Sequence, residues 1–246
     1  MHRFHLPPEA WDTAADVLRL DGPEAHHAAR VLRLEAGEDI ALFDGQGRRA
    51  VCRILDVKKQ HLALEVLEQA QDPPPAAPTI LALGFSKAIR RSWLLEKAVE
   101  LNAAGLWFWQ ADRSQGRIPE DVKESWQGAL VAAGKQCGVS HLPDVRTFPG
   151  GLEAVLQETA AMQTVVLWEE QDQPAPVLPQ AVIRLPAPCC FLLGPEGGFS
   201  PREVQVFQHA QTLAASLGPS ILRWETAALT VLALRFWGQA GATGDA

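Results

Sequence analysis

The sequence predicts an α/β fold in which a mainly parallel sheet carries helices on both faces and a small β-rich unit precedes it. Three observations carry the prediction. Beyond residue 78, strand-like apolar runs alternate with helix-like patterns, as in parallel strands joined by crossover helices. The run 189–193 is apolar at every position, as expected of a parallel strand covered on both faces. Between the two regions lies Gln71-Asp72-Pro73-Pro74-Pro75-Ala76-Ala77-Pro78, whose consecutive prolines favour extended polyproline conformation and block both helix and central strand. It reads as a linker dividing the chain into units 1–72 and 73–246.

In chain order, the first unit shows a helical stretch at 24–32 and strands at 39–43, 48–57 and 61–67. Asp44-Gly45-Gln46-Gly47 supplies the turn of a hairpin between the first two strands. In the second unit, strands are expected at 79–84, 106–111, 164–168 and 189–193, and helices at 92–101, 119–133, 151–161, 201–214 and 225–237. Trp93, Leu94, Lys97, Ala98 and Leu101 fall at helical spacing, and Gly105 lies near the expected end of that helix. Ser200, Pro201 and Glu203 fit the N-cap, N1 and N3 positions of a capping box with proline in the first turn. The proline-rich stretch from Gln171 to Pro188 reads as a surface excursion.

Composition narrows the function classes. The 246 residues are 47% hydrophobic, enough for one large core or two smaller ones, and no segment approaches the roughly 18 uninterrupted apolar residues of a membrane span. Met1-His2-Arg3-Phe4-His5-Leu6-Pro7-Pro8 lacks the basic-then-apolar layout of a signal peptide, so a cytoplasmic protein is expected. The four cysteines are scattered, and Cys189-Cys190 lie inside an apolar run where neighbours face opposite sides of the sheet. They read as core thiols, and no metal site is expected. A net charge of −7 argues against indiscriminate binding of nucleic acid. Cations are nevertheless crowded locally: Arg30, Arg33, Arg48, Arg49, Arg53, Lys58 and Lys59, then Lys87, Arg90 and Arg91.

Two glycine-proline loops precede helices. In Phe191-Leu192-Leu193-Gly194-Pro195-Glu196-Gly197-Gly198-Phe199-Ser200, a buried strand breaks into a loop whose glycines allow close approach to a ligand. In open α/β sheets, the crevice beyond the carboxyl ends of the strands is where ligands bind. Leu217-Gly218-Pro219-Ser220-Ile221-Leu222-Arg223-Trp224 repeats the pattern ahead of the last helix. Neither loop ends in the Lys-Ser/Thr of a phosphate-cradling loop or matches GxGxxG. An ATPase or ordinary dehydrogenase is therefore a poor match. The loops suit a compact ligand gripped largely by backbone groups.

Taken together, Gly194 to Ser200 with Glu203, Leu217-Gly218-Pro219, Ile221-Leu222-Arg223 and Glu225-Thr226-Ala227 resemble the RsmE family of 16S ribosomal RNA uridine-N3 methyltransferases. The resemblance continues upstream in family order, through His27, Arg30, Val31, Leu32 and Arg33, Leu42-Phe43-Asp44-Gly45, Lys97 to Leu101, Asp112-Arg113-Ser114, and Gln136-Cys137-Gly138 with Pro143. It implies a PUA-like β-barrel followed by a SPOUT-type α/β domain with a deep trefoil knot, a feature no sequence pattern reveals. It also implies S-adenosyl-L-methionine as cofactor, 16S ribosomal RNA or the small subunit as partner, and a homodimer without membrane attachment. By the same resemblance, Leu167, Trp168, Glu169, Leu193, Gly194, Glu196, Gly198, Leu217, Ile221 and Leu222 line the cofactor site. The chain departs from the family pattern at Ala88-Ile89, Lys135, Val139, Ser220 and Trp224.

Methylation at a uridine N3 requires removal of a weakly acidic imide proton and alignment of that nitrogen with the methyl donor. Arg113 and Arg223 are candidates for holding the uridine or a phosphate and stabilising the anion, since an arginine cannot act as the base. Glu196 or Glu225 is the candidate base, although Glu225 also suits the N-terminal dipole of the last helix. Arg30, Arg33 and Lys87 are candidate RNA contacts, with a solvated face as the competing reading of the two arginines. Trp224 is positioned to stack on a base or cofactor. Trp107 and Trp109 share a sheet face and read as core, and Cys137 with His141 lacks a third, orienting residue for nucleophilic chemistry. A non-catalytic RNA-binding protein of this fold and a transfer-RNA methyltransferase of the same fold are the alternative readings.

Overall fold

The computed structural model describes residues 1–12, 15–58, 61–87, 91–169 and 175–240. Lys59, Ala88, Ile89 and Arg90, singled out above, lie outside the described residues. The chain forms two compact units, one of Met1–Pro74 with Val131–Leu142, the other of Pro75–Leu130 with Pro143–Ala246. A single cut at 72/73 does not capture the return of Val131–Leu142 to the first unit.

The first unit is built on five strands: β1 (Arg3–His5), β2 (Val17–Asp21), β3 (Asp39–Phe43), β4 (Arg48–Val57) and β5 (His61–Gln71). They order as β1-β3-β4-β5-β2, with β1 parallel to β3 and the other pairs antiparallel. β1 and β2 escaped the sequence reading because each is short and bounded by proline or polar residues. Alternation along the strands sends Phe4, Leu18, Leu20, Ile40, Leu42, Cys52, Ile54, Leu62 and Leu64 into one core. The β3–β4 turn is held by Asp44, whose Oδ1 accepts the Gln46 and Arg48 backbone N–H groups at 2.7 and 2.9 Å. The expected helix at 24–32 is a short α-helix, α1 (Gly22–His26), continued by a wide π-type turn over His27–Val31. Arg33 follows it in the left-handed region, at φ 56°, so Arg30 and Arg33 do not share a regular helical face. In the returning segment, Lys135 pairs with Glu24 at 2.8 Å, which gives one departure from the family pattern a local partner.

Among the described residues, the second unit carries six parallel strands: β6 (Thr79–Gly84), β7 (Gly105–Trp109), β8 (Asp144–Phe148), β9 (Gln163–Leu167), β10 (Cys189–Leu193) and β11 (Leu213–Ala215). Their order is β11-β9-β10-β6-β7-β8, so β10 inserts between strands formed earlier in the chain. The helices are α2 (Arg91–Glu100), α3 (Glu124–Cys137), whose residues from Val131 are counted with the first unit, α4 (Leu152–Glu158), α5 (Gln180–Ile183), α6 (Pro201–His209) and α7 (Trp224–Ala240). Two expectations are corrected. The stretch 201–214 is not one helix, because α6 ends at His209 and the chain re-enters the sheet as β11. The stretch 119–133 is helical only from Glu124, and β8, an alternating edge strand, was not recognised.

Period-two alternation places Ile80, Ala82, Trp107, Trp109, Cys190 and Leu192 on one sheet face, where they pack with Leu152 and Val155 of α4 and Phe207 of α6. The opposite face is covered in part by α7, which lies against β6 and β10. All five residues of β10 are buried, each large apolar side chain contributing about 1.5–3 kcal/mol. Burial pushes the Cys190 thiol up to about 12 and, in the first unit, Cys52 up to about 11. On α7, the buried Arg235 guanidinium donates to the carbonyls of Val182, Ile183 and Leu185 and to Thr79 Oγ1, capping the C-terminal end of α5. Among the described residues, no helix is long and apolar enough to cross a membrane.

Candidate active site

The ends of β9, β10 and β11 and the start of α7 enclose a cavity of about 740 Å³. That volume falls within the roughly 300–1,000 Å³ of small-molecule sites. β10 delivers the chain into Gly194–Ser200, where Gly198 takes φ +71° and closes a turn onto the Pro195 carbonyl at 2.8 Å. The loop runs so close to the end of β6 that a Cβ on Gly84 would lie 2.4 Å from Pro195 N. Ser200 then starts α6. Its Oγ accepts the Glu203 N–H at 3.2 Å, and Glu203 Oε2 accepts the Ser200 N–H at 2.7 Å, the reciprocal capping box expected from the sequence.

The same cap reaches across to the loop after β7. Glu203 is wholly buried, and its second oxygen accepts the Asp112 N–H at 2.9 Å. Asp112 accepts a 2.6 Å hydrogen bond from Ser200 Oγ and binds the Arg202 guanidinium through both oxygens at 3.0 and 3.1 Å. Hydrogen bonds from Arg202, then from Ser200, hold the Asp112 carboxyl below its usual range. Arg202 also pairs with Glu153 on α4. Next along the chain, Arg113 Nη1 donates to the Gly197 carbonyl at 3.1 Å. The arginine is therefore aimed along the glycine loop.

Every residue assigned to the cofactor from sequence lies on the cavity wall: Leu167, Trp168 and Glu169 from the end of β9, Leu193, Gly194, Glu196 and Gly198 from the first loop, and Leu217, Ile221 and Leu222 from the second. Arg113, Glu196, Arg223 and Glu225 join them. Glu196 accepts a long hydrogen bond from the buried Ser86 hydroxyl, at 3.5 Å. Glu225 is in the first turn of α7 and Arg223 immediately precedes that helix. The wall also includes Pro195, Phe199, Ala215, Ser216, Trp224 and Ala227. Ala215 and Ser216 lie just beyond the helix expected over 201–214, where the sequence carries no signal for the short strand β11. Phe199 was visible in the loop, but only folding turns its ring inward, stacked 6.1 Å from Trp109 and edge-on to Phe207.

Other sequence candidates fall elsewhere. Trp107 and Trp109 are core residues, at 2% and 0% exposure. His141 Nε2 pairs with the Asp72 carbonyl at 3.1 Å. Arg30 and Arg33 are exposed in the first unit, and Lys87 is exposed beyond β6 and does not line the cavity. Ser220 is exposed, while Trp224, which does line the cavity, is only 7% exposed.

The cavity combines apolar walls from Leu193, Leu217 and Leu222 with carboxylates at Glu169, Glu196 and Glu225 and guanidinium groups at Arg113 and Arg223. It offers a small-molecule ligand apolar surface, backbone groups and side chains of both charges.

Residues 73–235 match an RNA methyltransferase domain model, and residues 20–67 match an RNA methyltransferase PUA domain. The ribosomal RNA small subunit methyltransferase E of Mycobacterium bovis is 30% identical over 233 residues, covering 90% of this chain and 86% of the relative. The chain belongs to the RsmE family. The Bacillus subtilis family member is 28% identical, covering 89% of each chain. The Neisseria gonorrhoeae family member, solved bound to S-adenosyl methionine, is 27% identical with a TM-score of 0.76 over 95% of this chain and 96% of that one. A Porphyromonas gingivalis protein described as a probable rRNA-methyltransferase superposes with a TM-score of 0.86 at 28% identity, covering 98% of this chain and all of that one. The fold is thus that of the RsmE family, a PUA-like unit ahead of a SPOUT-type parallel sheet. The cavity lies at the C-terminal strand ends of that sheet.

Proposed function

We propose that this chain transfers a methyl group from S-adenosyl-L-methionine to N3 of a uridine in 16S ribosomal RNA of the small subunit. The observation carrying the reading is the single cavity that gathers the two glycine-proline loops, the end of β9, Arg113 and Arg223. The S-adenosyl methionine bound to the Neisseria relative supports the cofactor. When bound, that cofactor supplies an electrophilic methyl group on a sulfonium centre. Leu193, Leu217 and Leu222 provide its apolar wall, and Gly194 and Gly198 leave the loop backbone open to it.

Alignment of donor and acceptor supplies several kcal/mol of the acceleration. In this reading Arg113, braced on Gly197, and Arg223, which has no carboxylate partner among the described residues, stabilise the uridine anion. Glu196 or Glu225 accepts the imide proton, a contribution of about 10² to 10⁴-fold. Arg30, Arg33 and Lys87 engage RNA. The homodimer expected from the family resemblance belongs to the same reading, and Phe236 and Trp237, 46% and 78% exposed on α7, offer it apolar surface. Two loops walling one cavity are consistent with the trefoil knot, and an rRNA substrate fits a cytoplasmic location.

The test is transfer of labelled methyl from S-adenosylmethionine to small ribosomal subunits lacking the modification, with the product nucleoside identified by mass spectrometry. 3-Methyluridine is the expected product. No transfer by folded protein to intact subunits overturns the proposal in favour of a binding protein, and a different methylated nucleoside overturns the N3 assignment.

A further inference from the structure

The cations of the second unit separate by what neutralises them. Lys97 pairs with Glu100, Arg146 with Asp144 and Glu158, and Arg202 with Asp112 and Glu153. Arg91 lies over the rings of Phe85, Phe108 and Trp126, and Arg235 is buried among carbonyls. Lys87 and Arg117 are exposed, and neither has a carboxylate within ion-pair distance among the described residues. Arg113, Lys123, Arg184 and Arg223 also lack one, but Arg117 differs in how its backbone is held.

Gln110 brackets it. The Gln110 side chain accepts the Ile118 N–H at 2.8 Å through Oε1 and donates to the Gly116 carbonyl at 3.2 Å through Nε2. The residue between those two backbone groups is Arg117. Gly116 takes φ +99°, and a Cβ there would lie 3.0 Å from Lys87 Cδ and Cε, so the lysine stem lies directly over the glycine. The Lys87 N–H bonds the Gln115 carbonyl at 3.1 Å. Two cations without carboxylate partners are thereby carried by neighbouring backbone segments, Lys87 with its stem over Gly116 and Arg117 next along the pinned loop that also carries Arg113 on the cavity wall. Glu120 and Asp121 follow in sequence without forming an ion pair to Arg117.

We propose that Lys87 and Arg117 form a preorganised grip for the phosphate backbone of the polynucleotide substrate, with Gln110 as its positioning residue. This extends the methyltransferase reading and rests on it for the identity of the polynucleotide. Successive phosphates along one strand would each take one of the two cations. Because the backbone of the loop is already ordered, little entropy is lost when the strand docks.

The test measures binding of the full chain to a 16S RNA transcript across a salt series, with S-adenosylmethionine affinity measured in parallel by calorimetry. The double variant Lys87→Ala with Arg117→Ala is expected to bind the transcript at least 10-fold more weakly. Its log–log salt slope should flatten by about 1 to 2, since each lost phosphate contact on single-stranded nucleic acid removes about 0.7. Cofactor affinity should be unchanged. Arg117→Lys should retain the slope, and Gln110→Ala should raise the KM for RNA several-fold with little change in kcat. A double variant with the wild-type slope overturns the grip and leaves the methyltransferase reading standing. A wild-type chain that binds cofactor but not RNA overturns both.

Discussion

Asp112 and Ser200, on loops after different strands, are joined by a 2.6 Å hydrogen bond that couples the Arg113 loop to the start of α6. Ser200 uses the same hydroxyl to accept the Glu203 N–H, so helix capping and loop docking share one atom. Asp112→Asn is expected to destabilise the fold by about 1 kcal/mol at pH 7, a value kept small by the exposure of the carboxylate. The folded pKa of Asp112 is depressed, so its stabilisation is fully present above the unfolded value of about 3.9 and is lost as pH falls through the folded pKa. Urea unfolding should therefore show a gap between wild type and variant at neutral pH that closes below about pH 4. A gap independent of pH would assign the effect to packing.

Gly84 has no room for a side chain, because its added Cβ would meet the Pro195 backbone at 2.4 Å. Gly84→Ala must displace either the end of β6 or the glycine loop, at a cost of about 1–3 kcal/mol. Thermal unfolding should register that loss, and calorimetry should show weakened S-adenosylmethionine binding. Undiminished binding would mean that the loop yields without disturbing the cavity.

Arg235 satisfies several partly buried carbonyls with one planar guanidinium, including those ending α5. Lysine cannot reproduce that fork. Arg235→Lys is expected to cost about 2–4 kcal/mol, since a buried cation keeps its charge but loses most of its hydrogen bonds. Denaturant unfolding of the isolated variant measures it, and a loss below about 0.5 kcal/mol would show that the segment after α5 repacks.

Arg223 and Glu225 flank the start of α7 but carry different expectations. Arg223→Ala should lower methyl transfer by about 10²- to 10³-fold, with cofactor affinity changed by less than threefold. Glu225→Gln separates base from dipole. If the residue is the base, kcat falls by at least 10²-fold and the acidic limb of its pH profile disappears. If it serves the helix dipole, stability falls by about 0.3–1 kcal/mol and the pH profile stays in place.

Much of the site was legible because its signals are local. The apolar run ending at Leu193, the glycines of 194–198 and the Ser200–Glu203 box each follow from a few neighbouring residues, and each appears in the structure. The second loop was also recognised from its Gly218-Pro219 turn. β11 was not, because a three-residue strand carries too little alternation to stand apart from the helix before it. The Lys87–Arg117 pair was invisible for a related reason: Gln110, Gly116 and Lys87 meet only when β6 and β7 lie side by side.

Local sequence by itself determined the types of β9, β10, α6 and α7 around the cavity, the turn at Asp44, the cap at Ser200 and, through resemblance over most of the chain, the family. Backbone propensity, side-chain periodicity and capping chemistry act over a handful of residues, so they can be read in order along the chain. Only the tertiary structure decided that β10 inserts between β9 and β6, that Val131–Leu142 returns to the first unit, and that Glu203 ties α6 to the loop at Asp112. Those outcomes depend on burial and hydrogen bonding between residues distant in sequence, where the free energy of a contact is set by what folding brings alongside it.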